Sequence, residues 1–486
     1  MADFGFIGEA YTSASPTQDC QTLINWYVET DKDKPTGIVG SPPARGAMAL
    51  YPTPGLTSLV QLINAPVRGL HVIPGGNTMF AVCGSTLYSI SSAYVATIIA
   101  TLQSSFGQVS ITDNGVALYI TDGVTRYSYI WGTNTFAVMT DGGFTGGSVC
   151  DEVDNYMIYN RPNSNQWGCT NVGDVVSAGL NFGSMLGSTN YLVSLIVDHR
   201  QVLLLGEYTS ERWIDVGAFP FPFSIIPGSA MQHGCAAQNS VCKFGQGIAY
   251  LGQDSRGNAN VWMWGATLAE PKQISTVAIE NAIQQYAVIN DAVGYSYTMA
   301  GHEFYMLTFP TSDITWCYDL TTDKWHQRAW RDPATNILHR HRSNCMALFN
   351  GNIIVGDYAN GQLYELSQTN YTDHGDPIPC IRRGPHIVSD LKRQFFSDLQ
   401  IQFQPGTGID TGQGSDPQCI LRWSNDGGFT FGNDHYLSIG QQGQYKNRAM
   451  MRRLGQARDR VFEIEVTDPV YRVVVSANLN ASVASN

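Results

Sequence analysis

The chain has 486 residues, of which 43% are hydrophobic, 11% aromatic and 14% charged, with 49 Gly and a formal net charge of −12. Globular chains average about 25% charged residues, so this one lacks the Glu, Lys and Arg that solvate long helices, and only 7 of its 28 basic residues are Lys. The aromatic content excludes disorder, and a surface of Gly, Ser, Thr, Asn and Tyr suits short strands and tight turns.

The length predicts two to three domains, or one large repeat domain with appendages. Residues 1–381 hold 16 basic and 30 acidic side chains, against 12 and 10 in residues 382–486. An acidic body does not wrap nucleic acid, because phosphate binding rests on Lys and Arg displacing counterions; any contact with DNA is expected to be local. Residues 1–10 carry Asp3 and Glu9 and no basic, apolar leader, so no secretory signal is expected. No run of 18 apolar residues occurs, and no membrane span is predicted. The 10 cysteines are scattered without a C-x-x-C pair and read as reduced, buried apolar residues.

In chain order, GEAYTSASPTQDCQTLINWYVE (8–29) comes first. Residues 31–55 follow, with five Pro and four Gly, and read as an extended arm. A loose repeat begins with TMFAVCGSTLYSI (78–90) and runs to MALFNGNIIVGDYANGQLYEL (346–366). Each unit has a short apolar strand, a polar turn and a second strand with a central aromatic. The marker aromatics are Tyr88, Tyr127, Trp167, Trp213, Trp262, Trp316 and Tyr364, spaced by 39, 40, 46, 49, 54 and 48. Periods of about 40 to 50 residues with several strands per unit predict a β-propeller, here of six or seven blades; a large β-sandwich assembly is the alternative. One helix is expected over 274–291, with Ser275 as N-cap. Residues 374–386 read as a linker. Alternating runs such as LQIQFQ (399–404) and RVFEIEV (460–466) predict a small C-terminal β domain. The expected fold is therefore all-β: an N-terminal segment and arm (1–65), a propeller (66–375) and a sandwich-like domain (376–486).

Chemistry-bearing patterns are few. SNDGGFTF (424–431) fits an Asp-box turn, with Ser424, Asp426, Gly428 and Thr430 at its fixed positions and Phe431 packing beneath. Asp boxes occur in sialidases, and a glycan-binding or glycan-cleaving propeller is the competing functional reading. Hydrolysis needs two facing carboxylates, and no spacing singles out a pair; Glu207 with Glu211 and Asp254 with Glu303 are only acids near turns. The clusters Asp198-His199-Arg200 and His339-Arg340-His341-Arg342 lack a nucleophile elbow or a metalloprotease helix. Neither a P-loop nor a dinucleotide fingerprint occurs, so neither cofactor nor catalytic site is expected. One basic cluster stands out in KNRAMMRRLGQARDR (446–460): Lys446, Arg448, Arg452, Arg453, Arg458 and Arg460 against Asp459. Arg suits bidentate pairing with carboxylate or phosphate, so a subunit or partner contact is the sharper reading. Pairing to Glu463, Glu465 and Asp468 is the plainer one.

GEAYTSASPTQDCQTLINWYVE (8–29), GHEFYMLTFP (301–310) with TWCYDLTTDKWHQR (315–328), and RRLGQARDRVFEIEVTDPVYRVVVSANL (452–479) resemble the packaged-DNA stabilisation proteins, or tail accessory factors, of short-tailed bacteriophages. The resemblance spans the chain in the same order. It implies a non-enzymatic, β-rich hub or nozzle of the virion tail, present in the host cytoplasm during assembly. It also implies a sixfold ring beneath the portal and its adaptor, neighbours among needle, spike or fibre proteins, and a channel for double-stranded DNA. An acidic lumen would let DNA slide without sticking.

Overall fold

The computed structural model describes residues 2–31, 47–187, 190–268 and 270–484. Seven antiparallel sheets succeed one another over 67–101, 110–138, 150–184, 192–225, 234–273, 293–331 and 343–367. Strand order follows chain order, except that in blade five Gly234–Cys235 and Cys242–Phe244 both pair with Gly247–Gln253; the first strands of the other six blades and residues 238–241 of blade five meet around one axis. This is a seven-bladed propeller. Second strands lie between neighbouring blades and are apolar on both faces: Ala117–Thr121 is buried at every residue, and Gln201–Gly206 and Gly247–Gln253 nearly so. Fourth strands at the rim, such as Ala96–Thr101 and Thr135–Val138, are largely open to solvent. The burial gradient explains why the repeat was readable as an apolar run followed by an aromatic.

All seven marker aromatics stand on the third strand of their blade. The longest spacing, between Trp262 and Trp316, holds the inserted helix Val277–Gln284. That helix is shorter than expected, and its N-cap is Thr276 rather than Ser275. The Ser275 hydroxyl instead accepts from the Val261 N–H (3.1 Å) and donates to Glu280 (2.8 Å), tying the helix start to blade five.

The ring is closed by a strand from ahead of the first blade. Gly55–Gln61 pairs antiparallel with Gln362–Ser367 and supplies the outer strand of blade seven. Most of the Pro/Gly-rich stretch 31–55 falls outside the described residues; its end, Met48–Pro52, is a strand paired with Trp26–Thr30.

The C-terminal unit is two facing sheets. One runs Trp26–Thr30, Met48–Pro52, Val474–Val483, Gln394–Phe403, Ala449–Ala457. The other holds Cys380–Arg383, Asp459–Val466, Gln418–Ser424 and His435–Ser438. Between them pack Trp26, Leu50, Leu399, Ile401, Phe462, Ile464 and Val474. The stretch 374–386 is not a free linker: Cys380–Arg383 is a strand, because Cys380, Ile381 and Arg382 are all buried. It pairs with Cys20–Ile24, which also meets the outer strand of blade six, Lys324–Arg331. One twelve-stranded sheet thus runs from the propeller into the sandwich, and a single apolar core follows it.

Candidate functional site

The propeller axis is the first place to seek a site, because seven blades deliver side chains there. A cavity of about 290 Å³ lies there, lined by residues of all seven blades. Gln108 Nε2 reaches past blade one to donate to Asn344 Oδ1 (2.8 Å). Past blade four, Gln238 Nε2 donates to the Ser148 carbonyl (3.2 Å), and Ser194 Oγ donates to the Gln238 carbonyl (3.1 Å). Asp151 accepts from the N–H groups of Val197 and Glu152, each at 2.8 Å, and its burial pushes the carboxyl pKa up while Lys243 pulls it down. The major groove of DNA alone is about 12 Å wide, so a duplex does not thread this laced axis.

The acids that might have faced a sugar are engaged with the backbone. Glu211 accepts from the N–H groups of Leu186 (2.9 Å) and Gly187 and from Trp213 Nε1 (3.0 Å). Asp254 caps a turn through Arg256 N (2.9 Å) and Asn258 N (3.0 Å), and Glu303 accepts from Gly245 N (2.6 Å). The histidine-rich run is also taken apart. His341 Nε2 accepts from buried Arg328 (2.9 Å), so its Nδ1–H donates to Ser343 Oγ (2.6 Å); burial first, then Arg328 and Arg342, hold it neutral. His339 pairs with Asp313 (2.6 Å), Arg342 with Asp357 (2.8 Å), and Arg340 lies over the Tyr358 ring. His199 leans on Asp198 at 2.7 Å. Among the described residues no three His, Cys, Asp or Glu stand close enough to hold a metal ion.

In the Asp-box segment, Asp426 Oδ1 accepts from Thr430 N (3.0 Å) and Phe429 N (3.2 Å), and Ser424 Oγ accepts from Gly428 N (2.9 Å). The hydroxyls of Ser424 and then Thr430 hold the Asp426 carboxyl well below the usual range. Gly428 has φ +88°, and a Cβ there would press on Cys20 Sγ at 2.7 Å, so the turn is packed onto the N-terminal segment. The Arg383 guanidinium covers the Phe431 ring at 4.4 Å.

The arginine cluster divides. Arg460 is 1% exposed. It lies 4.3 Å from the centre of the Phe396 ring and donates to Asn425 Oδ1 (2.9 Å) and the Leu454 carbonyl (2.6 Å). It belongs to the sandwich interior and is withdrawn from the expected contact surface, because the aromatic rings of Phe396, Trp423 and Phe462 and backbone carbonyls satisfy it there. Lys446, Arg448, Arg452, Arg453 and Arg458 are exposed along the strand Ala449–Ala457 and its flanks. The acids that might have neutralised them are engaged elsewhere. Glu463 takes Arg383 (2.8 Å) and Arg422 (3.3 Å); Glu465 takes Arg331 and Arg422 (3.0 Å); Asp468 accepts from Gln418 N (2.7 Å).

The family described as Bacteriophage P22 Gp10, beta-propeller, matches residues 39–371, and the one described as Bacteriophage P22 Gp10, beta-sandwich, matches residues 381–482. The chain belongs to the P22 Gp10 family. No curated protein matches it.

In this Gp10-family chain the N-terminal pattern I-N-W-Y is a joint that sequence reasoning did not resolve. Asn25, 1% exposed and at φ +55°, donates from Nδ2 to the carbonyls of Ala329 and Pro379, both at 2.8 Å, and accepts from Ala329 N at 3.0 Å. Its own carbonyl takes Thr53 N (3.1 Å). One amide thus ties the N-terminal strands to blade six and to the sandwich. Trp26 Nε1 donates to the Arg472 carbonyl (2.8 Å). Three residues on, Glu29 meets His302 Nε2 (2.8 Å), whose Nδ1 meets Asp319 (2.7 Å). The available signal was the polar Asn between Ile24 and Trp26, where an apolar run would be expected.

Proposed function

We propose that the chain is a structural protein of the virion tail: a ring-forming hub or nozzle, hexameric, that extends the portal-adaptor channel and helps retain packaged DNA. Needle, spike or fibre proteins attach to it, and it waits in the host cytoplasm before assembly. It acts by assembly rather than catalysis, with a body (66–375, closed by the strand Gly55–Gln61) and a C-terminal unit (376–486, completed by Trp26–Thr30 and Met48–Pro52) that move as one.

The observation that carries this reading is membership of the P22 Gp10 family across both the propeller and the sandwich. The narrow propeller axis, crossed by side-chain hydrogen bonds, supports a further detail: double-stranded DNA passes between copies, through a lumen that the ring encloses, and not through any one subunit. Sixfold reconstruction of purified particles tests the proposal. Density for a seven-bladed propeller joined to a sandwich, repeated around the tail axis, is expected; a tail without such density overturns it. Particles assembled without this chain are expected to lose their DNA after packaging.

A further inference from the structure

Among the described residues the strand Ala449–Ala457 pairs on one side only, with Gln394–Phe403. Nine residues at about 3.3 Å each make an edge of about 30 Å. Ala449 and Leu454 turn inward, and Arg448 and Arg452 turn outward with Met450 between them. Opposite Phe396 to Asp398 the pairing slips by one residue; Arg453 (φ +59°) and Gly455 (φ +76°) absorb the bulge, and Arg453 is exposed beside Arg452. Arg393 is exposed just before the neighbouring strand Gln394–Phe403, beside the Ala457 end of the edge. Asp398, across from Arg452 in register, is bonded by Asn480 (3.2 Å). Among the described residues no carboxylate stands within ion-pair reach of Lys446, Arg448, Arg452 or Arg453.

The opposite charge gathers on the turns of blades two to four. Asp113 ends the first strand of blade two, Glu152 stands on the first strand of blade three and Asp154 in the turn after it, with half-buried Asp151 beside Glu152; burial first, then these like charges, push the Glu152 carboxyl up. Asp215 adds to the same field. Nearby cations are fewer: Arg200 pairs with Asp154 (2.8 Å), Lys243 faces Asp151, and His71 pairs with Asp113 (2.6 Å).

We propose that the arginine edge of the sandwich docks on the acidic turns of blades two to four of a second copy of this chain. The two surfaces lie on different parts of the molecule, so the contact is head-to-tail and generates a ring when it closes. The inference rests on the ring-forming reading above and supplies its contact. A protein partner fits better than a phosphate backbone, because the stripe also presents Met450 and the 73% exposed Tyr445. Met, Tyr and Arg together are characteristic of protein interfaces, and an open strand edge offers amides that a duplex leaves unused.

Sedimentation velocity on the full chain, with rising salt, tests this. Wild type is expected to associate at low salt and dissociate about tenfold more readily at high salt. The variants Arg448→Glu/Arg452→Glu and Glu152→Lys/Asp154→Lys are each expected to stay monomeric, and an equimolar mixture of the two to associate again. Recovery in the mixture requires both variants to be folded, so loss through misfolding is read separately. Wild-type association that survives Arg448→Glu/Arg452→Glu overturns this contact and leaves the ring reading standing. Failure of the mixture with both variants folded also overturns it. A monomeric wild type overturns both. Unchanged association with lost binding of a DNA duplex assigns the edge to phosphate instead.

Discussion

Single side chains at the junction carry stability out of proportion to their size, because each satisfies several buried groups at once. Asn25→Ala strands the Ala329 N–H and two carbonyls. At about 1–3 kcal/mol for each buried unsatisfied group, a loss of about 4 kcal/mol is expected, read as a lower urea midpoint. His302 responds to pH. Burial alone would keep it neutral, but hydrogen bonds to Asp319 and Glu29 outweigh that and raise its pKa above 6.5. A raised histidine stabilises the fold fully below its unfolded value, and the stabilisation is lost as pH rises through the folded one. The urea midpoint of wild type is therefore expected to fall from pH 6.5 upward, and that of His302→Gln to change less.

Asp373 adds to the same slope from the opposite kind of group. Burial pushes its carboxyl up to about 7 against the pull of Arg328, Arg472 and Arg342, and its Oδ1 has no hydrogen-bond partner. Ionising it costs the folded state. Asp373→Asn is expected to raise stability by up to about 4 kcal/mol at pH 8.5, with the gain shrinking as pH falls below 7 and gone near pH 4 in thermal melts.

Among the elements, the closing strand matters most. A propeller keeps its ring shut only if its last blade is completed by a distant segment, and Gly55–Gln61 does this from ahead of blade one. Gly361, at φ +73°, lies in the turn against it, where a Cβ would run into the Ile63 carbonyl. Gly361→Ala forces both a strained backbone and a collision with rigid backbone, at a cost of about 3 kcal/mol or more. Limited proteolysis is expected to cut first near residues 52–66 in this variant. The repeat period made the blades legible, since each marker aromatic stands on the third strand of its blade. The closing strand is not legible in the sequence: its partner lies some 300 residues away in the chain, and its residues fall in the N-terminal segment (1–65) that spacing sets apart from the propeller. The helix shows the same limit at short range. Its apolar spacing was plain, but two hydroxyls stood at the N-terminus, and the choice of Thr276 over Ser275 fell to the neighbouring strand that Ser275 serves.

For the molecule as a whole, the twelve-stranded sheet makes propeller and sandwich one cooperative body. Arg331 on blade six pairs with Glu465 of the sandwich, which also holds Arg422. Calorimetry is expected to record a single transition for wild type. Arg331→Met, which removes the cation and keeps much of the volume, should cost roughly 1–3 kcal/mol and broaden or split the peak.

Composition and spacing were enough to establish an all-β chain, a propeller repeat, a separate C-terminal β unit and an arginine-rich run near its end, because strands and turns follow from local patterns of polarity and glycine. Which arginines face outward could not be read that way. Arg458 and Arg460 are two residues apart in one basic run, yet one is exposed and the other lies against three aromatic rings. The low overall charge that opens the sequence is likewise split by folding: most buried arginines are consumed by carbonyls, rings and carboxylates inside the molecule, and among the exposed ones Arg448, Arg452 and Arg453 share one open strand edge. Partners for buried charge come from distant segments, and only long-range packing brings them together.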